Sequence, residues 1–257
     1  MTQLAMFPLG SVLFPHMPLI LRIFEERYVV MLSRVLQEEP SEFGVVLIER
    51  GQEVGGGEKR FSVGTVATIT QLEAAEGFIG LVAQGGRRVA ITEWLAEDPH
   101  PKADISDLAD LEWEEELRPL LDRAEQLVRR TLARASEFMD QQWSSNIELS
   151  DDPLQRSWQL AAIAPLGPLD QVALLRSATL VDLLEKLIEE TQAAEASLSA
   201  QWAVEADMDE LLSIGGEGAD ETGDDDGDDN DGDDNDGDDS DGEATEDSDP
   251  AEPEGKP

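Results

Sequence analysis

The chain has 257 residues, of which 58 are acidic and 18 are basic, so that its formal charge is −40, and it contains no cysteine. This charge argues against nucleic acids and anionic membrane surfaces as partners, because both are bound mainly through lysine and arginine. The absence of cysteine excludes disulfides, thiolate catalysis and cysteine-based zinc sites.

The N-terminal segment predicts β structure. Two short β-prone runs, Val12–Phe14 and Leu19–Ile23, are separated by prolines. Because proline cannot donate a ladder hydrogen bond, we interpret these runs as edge strands joined by tight bends. The prolines also break the apolar stretch before it reaches the length of a membrane span, and no basic region precedes it. We therefore expect neither an export signal nor a membrane helix, and a cytoplasmic location.

A helix and further strands follow. Apolar residues spaced by three and four predict a helix over residues 25–38, and Pro40 ends it. The apolar run Phe43–Ile48 has the length of a buried strand, and Gly55–Gly57 predicts a mobile loop after it. Three more β-like segments are Val63–Leu72, Phe78–Gln84 and Arg87–Leu95, with turns at residues 74–77 and 85–86. Consecutive strands with glycine turns and one inserted helix indicate a small, mostly antiparallel β-barrel.

After Pro99-His100-Pro101 the apolar period changes from two to 3.6. One long stripe predicts a helix with Pro119 in its first turn, and its members are Leu117, Leu120, Leu121, Ala124, Leu127, Val128, Thr131, Ala135, Phe138 and Met139. Ser150–Pro153 is a strong helix start and Thr179–Asp182 a weaker one. The expected fold class is α+β, with a barrel over residues 4–104 and a helical bundle over 112–205.

Residues 206–257 are predicted to form a disordered acidic tail. From Gly215 to Pro257 there are 21 acidic residues and one basic residue, and the only apolar side chains larger than alanine are prolines. Residues 1–214 still hold 37 acidic and 17 basic residues, a formal charge of about −20. The tail glycines do not fit an EF-hand. Gly232, Gly237 and Gly242 have glycine at the first ligand position, and Gly227 lacks the distal glutamate.

Residues 7–28, FPLGSVLFPHMPLILRIFEERY, resemble the opening of the Lon N-terminal domain family, and in this chain the pattern reads P-L-x-x-V-L-F-P followed by P-L-x-x-x-I-F-E-x-R-Y. The residues on this pattern are Pro8, Leu9, Val12, Leu13, Phe14, Pro15, Pro18, Ile23, Phe24, Glu25, Arg27 and Tyr28. Phe43–Val46, Val63–Ala67 and Gly86–Ile91 are similar to the strands that follow in the family, and Leu169–Leu175 to its helical Q-x-L-L element.

The resemblance covers roughly residues 4–195 and implies a PUA-like β-barrel followed by a helical subdomain. In the family this domain contributes to substrate recognition. Carried over to this chain, the motif suggests a polypeptide-binding surface, and its residues would be Arg22, Phe24, Glu25, Arg27 and Tyr28. A simpler interpretation is that these side chains pair with one another and cap the helix that they precede.

Full-length Lon proteases join this domain to an ATPase module and a Ser-Lys peptidase module. The sole Gly-Lys, Gly255-Lys256, is followed by proline, so no Walker A loop is present. The other lysines are Lys59, Lys102 and Lys186, and none of them lies in a segment expected to form the dry, rigid pocket of a peptidase dyad. We therefore expect a stand-alone, non-catalytic member of the family that needs no cofactor.

Four further groups of residues receive structural interpretations. His16 and His100 are isolated and make neither a metal site nor a triad. Arg87-Arg88 is expected to anchor a strand, and most phenylalanines of the first half to lie in the core. A partly exposed pair among Trp113, Trp143, Trp158 and Trp202 would mark a protein-binding patch.

Three functions remain open from the sequence. The first is an interaction module that binds unfolded polypeptide segments or partner proteins. The second is RNA binding, because PUA-like barrels often serve RNA-modifying proteins, although the charge argues against it. The third gives the acidic tail the main role, as a polyanion that docks on a basic partner. We favour the first, without a membrane partner and with the oligomeric state undetermined.

Overall fold

The computed structural model describes residues 2–50, 59–137 and 140–214, with side chains up to residue 200. Six strands lie in the first half: β1 (Thr2–Leu9), β2 (Pro18–Ile23), β3 (Glu42–Arg50), β4 (Lys59–Ala75), β5 (Phe78–Trp94) and β6 (Lys102–Asp107). One helix, α1 (Glu26–Val35), is inserted between β2 and β3. The second half contains α2 (Arg118–Ala135), α3 (Pro153–Ile163), α4 (Pro168–Leu175) and α5 (Leu180–Ile214).

The strand pairs form a closed circuit. The sheet order is β2-β5-β4-β3-β1-β6, and β6 also pairs with β5. The length of β5 allows this, because its first part pairs with β2 and its second part with β6. All pairs are antiparallel except β1 with β3. The expected predominance of antiparallel pairing is therefore confirmed, while β2 stays outside the circuit as an edge strand.

Two apolar clusters form the core. The smaller one takes side chains from all five strands of the circuit and therefore fills it: Met6, Val46, Val66, Val89, Ala103 and Ile105. The larger cluster continues from the strands into the helices. Phe14, between β1 and β2, lies 6.1 Å from Trp158 of α3, measured between ring centroids. The two halves of the chain thus share one continuous apolar interior, which is favoured because it removes more apolar surface from water than two separate layers would.

The helix starts follow the sequence signals. Asp152 caps α3, since its carboxylate accepts a hydrogen bond of 2.8 Å from the Gln155 amide, and Pro153 occupies the first turn. At the start of α5, the Thr179 hydroxyl accepts from the Asp182 amide, and the Asp182 carboxylate accepts from the Ala178 amide. Both predicted starts are confirmed. Pro119 also lies in the first turn of α2, as expected.

The structure corrects the interpretation of Val12–Phe14 as a strand. The strand of this region is β1, and Val12–Phe14 belong to the loop that follows it. Individual hydrogen bonds, rather than strand pairing, attach that loop to the sheet. The Thr65 hydroxyl donates to the Leu13 carbonyl at 2.6 Å, and the His16 amide donates to the Gly85 carbonyl at 2.8 Å. These contacts pair several of its backbone groups without forming a ladder.

The expected turn at residues 85–86 was also wrong, whereas the turn before Phe78 is present, with Gly77 at a φ of 83°. β5 runs through Gly85, and a glycine is needed there because a Cβ would overlap with the Phe14 carbonyl oxygen. β6 was not predicted at all. Its only apolar residues, Ala103 and Ile105, give too short an alternation to be recognised.

The element ends also differ from the predicted domain boundaries. β6 continues past residue 104, where the barrel was expected to end, and α5 continues to Ile214, past the expected start of the tail at 206. The predicted glycine loop at 55–57, the positions 138 and 139 of the helical stripe, and the tail from 215 onwards lie outside the described residues.

Candidate functional site

The five motif residues that the sequence suggested lie at the junction of β2 and α1. Arg22 is exposed at the end of β2, and Phe24, directly after the strand, is 61% exposed. Glu25 precedes α1 but makes no side-chain cap. Arg22, Phe24, Glu25 and Tyr28 line a small cavity of about 190 Å³, whereas Arg27 does not.

Tyr28 is part of the core rather than of the surface. Its side chain is 2% exposed, and its ring packs against Phe7 with 4.2 Å between centroids. Arg27 pairs with Glu25 at 3.1 Å, and its guanidinium lies 4.5 Å from the centre of the Tyr28 ring. The expected mutual pairing is confirmed for these two charged residues. Of the five, Arg22 and Phe24 are the ones whose side chains are exposed.

A groove extends from this cavity along β2. The next cavity, of about 400 Å³, shares Leu9, Ile20 and Leu21 with the small one. A third cavity, of about 470 Å³, reaches α5. The second and third share four lining residues, which are Gln142, Trp143, Ala162 and Gln171. We name this chain of three cavities, from Phe24 to Leu198, the β2 groove.

The β2 groove is uncharged over most of its length. None of the described residues that line its two larger cavities carries a charge, and the polar groups are mainly the amides of Gln141, Gln142 and Gln171. At the other end, Ile20 is 76% exposed and Phe24 is 61% exposed. Exposed apolar side chains that continue into an uncharged groove form a surface of the kind that binds other molecules.

The floor of the groove is held by the loop between β1 and β2. Leu13, Phe14 and Met17 line it and are buried. Their positions depend on Gly85, whose amide donates to the Met17 carbonyl at 2.9 Å and whose Cα packs under the Phe14 carbonyl. His16 in the same loop has a φ of 63°, and burial lowers the pKa of its imidazole while Asp152 and Asp110 raise it.

Arg88 on β5 fixes the helical wall of the groove to the sheet. Its guanidinium donates to the carbonyls of Leu175 and Ser177 at 2.9 and 2.7 Å and to that of Ala109 at 2.6 Å. It lies 5.0 Å from the centre of the Trp158 ring, and the residue is 5% exposed. Burial lowers the pKa of this arginine. The expectation that Arg87-Arg88 anchors a strand is thus met by Arg88, which joins β5 to α3 and α4.

The sequence did not identify the groove as a site. Trp143 was named as one of four candidates for an exposed patch, and it lines the groove. Trp158, by contrast, is 3% exposed. The glutamines carried no recognisable signal, because their proximity depends on how the segment after α2 packs against α3 and α4.

No metal centre is formed by the described residues. They contain no group of three or more His, Cys, Asp or Glu side chains arranged to hold a metal ion. His100 is 2% exposed, and its Nδ1 contacts the Pro101 carbonyl at 3.0 Å. Lys59 pairs with Glu49 and Lys186 with Asp182, each at 2.9 Å, rather than with a serine. None of the helices described is long and apolar enough to cross a membrane.

Comparisons with known proteins agree on one family. Residues 3–193 match the family model described as ATP-dependent protease La (LON) substrate-binding domain. Among solved structures, a Lon N-terminal domain protein from Xanthomonas campestris is similar with a TM-score of 0.53 and 25% identity, and the match covers 74% of this chain and 98% of that one. The N-terminal domain of a Mycobacterium avium complex Lon protease gives a TM-score of 0.52 at 18% identity, with the same coverage. No curated protein sequence matches the chain.

Proposed function

The chain belongs to the family of Lon substrate-binding domains, and we propose that it binds unfolded or extended segments of other proteins through the β2 groove, without catalysing a reaction. The family supports a substrate-binding module of this kind. The groove supplies the surface. We assign it to polypeptide rather than to a small ligand because its three neighbouring cavities extend from β2 to α5 and are lined by residues of both strands and helices. A cytoplasmic location remains a prediction from the sequence.

The observation that carries this proposal is the arrangement of the three cavities. Neighbouring cavities share lining residues, so that a row of cavities leads from Phe24 past Trp143 to α5. Aromatic and aliphatic side chains in such a row favour the burial of apolar side chains of a partner, at roughly 25 cal/mol per Å². The glutamine amides are suited to hydrogen bonds with a peptide backbone, since each offers donors and an acceptor.

We also interpret the closed circuit of β1, β3, β4, β5 and β6 as a PUA-like barrel. The cluster around Met6 and Val89 that fills the circuit supports this interpretation. In this arrangement the barrel is a rigid support, and β2 with the loop before it forms the recognition side. Of the motif residues, Phe24 and Arg22 are proposed to contact the bound segment, while Tyr28 and the Arg27–Glu25 pair position them.

The proposal is tested by measuring the binding of a permanently unfolded model protein, such as reduced and carboxymethylated α-lactalbumin, by fluorescence anisotropy. A double variant, Ile20→Ser with Phe24→Ser, should weaken binding by about tenfold, because two exposed apolar contacts are lost. Leu36→Ser is the matched control, since Leu36 is 46% exposed at the end of α1 and does not line the groove. Equal binding by both variants and the parent chain contradicts the proposal, as does ATP hydrolysis or casein cleavage by the purified protein.

A further inference from the structure

We infer that a bound segment adds to the sheet as an extended strand beside β2, and that apolar segments flanked by basic residues are preferred over those flanked by acidic residues. This inference rests on the proposed function and specifies the conformation and the charge of the partner. The exposed edge of β2 supports the addition of a strand, and the charge of the chain supports the preference for basic flanking residues.

β2 has one partner strand. It pairs with β5 over the whole of Pro18–Ile23, and within the described part of the sheet no strand lies on its other side. In an antiparallel pair, alternate residues of each strand direct their amides and carbonyls away from the partner. The outer edge of β2 therefore presents backbone donors and acceptors at the spacing of an extended chain. Edges of this kind are the sites at which peptides add to sheets.

The groove runs along this same edge. The cavity at the N-terminal end of β2 is lined by residues 18–21 of the strand, and the cavity at its C-terminal end by residues 20–23. A strand laid against β2 would thus lie in the groove over its full length. Its side chains on one face would meet Ile20, which is 76% exposed at the middle of β2, and Phe24 just beyond it.

The arrangement of charges defines the partner further. The lining of the two larger cavities carries no charge among the described residues, so a charged side chain inside them would lose its hydration without gaining an ion pair. The chain as a whole is strongly acidic, with 37 acidic and 17 basic residues in positions 1–214. A segment with an uncharged apolar centre and basic ends fits both conditions, because its ends remain in the negative field outside the groove.

The test uses the full chain and labelled synthetic peptides with one core of alternating valine and serine. Three versions carry lysine, serine or glutamate at both ends. We expect the lysine version to bind about tenfold more tightly than the serine version at low salt, and the glutamate version more weakly. The difference should shrink at about 0.5 M salt, where charges are screened within a few Å. Equal affinities of the three versions at low salt overturn the charge preference.

Strand addition is tested by methylating alternate backbone amides of the serine-flanked peptide, in two versions that differ by one residue in register. Only one set of amides faces β2 in an extended complex, so one version should lose at least tenfold in affinity and the other should retain it. Two versions that behave alike overturn strand addition. If the unmethylated peptides and the unfolded model protein both fail to bind, the proposed function itself fails, and the two failures are thereby distinguished.

Discussion

Arg88 and Ile20 lie on paired strands of one sheet, yet their surroundings are opposite. The charged Arg88 of β5 is 5% exposed, and its guanidinium donates to three backbone carbonyls. The apolar Ile20 of β2 is 76% exposed beside an open groove. A buried cation that donates to three carbonyls links its strand firmly to the neighbouring segments, whereas an exposed apolar residue gives little stability to the folded chain. The comparison separates residues that build the protein from residues that are available to a partner.

Replacing Arg88 should have the largest effect on stability. Arg88→Met removes the guanidinium and leaves the carbonyls of Leu175, Ser177 and Ala109 without this donor, so we expect the free energy of unfolding to fall by about 3–5 kcal/mol. Urea denaturation followed by tryptophan fluorescence measures the change. Arg123→Met is the control, because Arg123 is exposed on α2 and should alter stability by less than about 0.5 kcal/mol. Similar losses of stability in the two variants would contradict the role of Arg88 in joining β5 to α3 and α4.

Gly85 and Gly86 are adjacent on β5 but differ in the space that they leave for a Cβ. A Cβ at Gly85 would overlap the Phe14 carbonyl oxygen, while a Cβ at Gly86 would lie 3.4 Å from the Val66 carbonyl oxygen, an ordinary contact. Gly85→Ala should therefore reduce the free energy of unfolding by about 1–3 kcal/mol, and it should also weaken polypeptide binding because the loop with Leu13 and Phe14 must shift. Gly86→Ala should change both by much less. Thermal denaturation and the anisotropy assay provide the two measurements.

A smaller effect on the free energy of unfolding is expected from the titration of His100, which is buried. Burial lowers the pKa of His100, with Lys102 and Arg34 acting in the same direction, while the Pro101 carbonyl and Asp98 oppose them. The unfolded chain then binds a proton to this imidazole at a higher pH than the folded chain does. Stability is therefore complete above about pH 6.5 and declines as the pH falls below it, at up to about 1.4 kcal/mol per pH unit.

The variant His100→Gln should show a shallower decline between about pH 6.5 and 5 than the parent chain, because glutamine does not titrate. His16, whose pKa is also lowered by burial, contributes a remaining slope in both proteins. Urea denaturation at closely spaced pH values measures the two slopes. Parallel curves for the parent and His100→Gln would show that the imidazole is protonated equally in the folded and unfolded states.

The smallest effect on stability is expected at the groove. Ile20→Ser should change the free energy of unfolding by no more than about 0.5 kcal/mol, because the side chain is already mostly in water. Its effect on polypeptide binding should be large by comparison. A loss of stability comparable to that of Gly85→Ala would place Ile20 among the residues that build the fold and would remove the contrast with Arg88.

The sequence predicted most of the elements because their signals are local. The cap at Asp152, the proline after it, and the apolar run at Phe43–Ile48 each depend on a few neighbouring residues. β6 and the passage of β5 through Gly85 could not be predicted in this way, since a glycine in a turn and a glycine under a distant carbonyl have the same one-letter pattern. The family resemblance supplied the overall fold class, and the matching structures support its mixed α and β character.

The site was less accessible to sequence reasoning than the fold. The motif predicted Arg22, Phe24 and Tyr28 as binding residues, and the first two are exposed, whereas Tyr28 packs on Phe7. Composition and spacing cannot distinguish an aromatic residue on the surface from one beneath it when both follow the same strand. Trp143, Gln142 and Gln171 come together only through the packing of segments that are distant in the sequence, and no local pattern indicates the groove that they share.

An exposed strand edge also bears on how copies of the protein behave towards one another. The outer side of β2, with Ile20 at its centre, is chemically as well suited to the same edge of a second molecule as to a foreign peptide. A formal charge of −40 on every chain opposes that encounter through mutual repulsion. Charge repulsion thus opposes self-association of the protein through the exposed edge of β2. Raising the ionic strength screens this repulsion and should promote self-association.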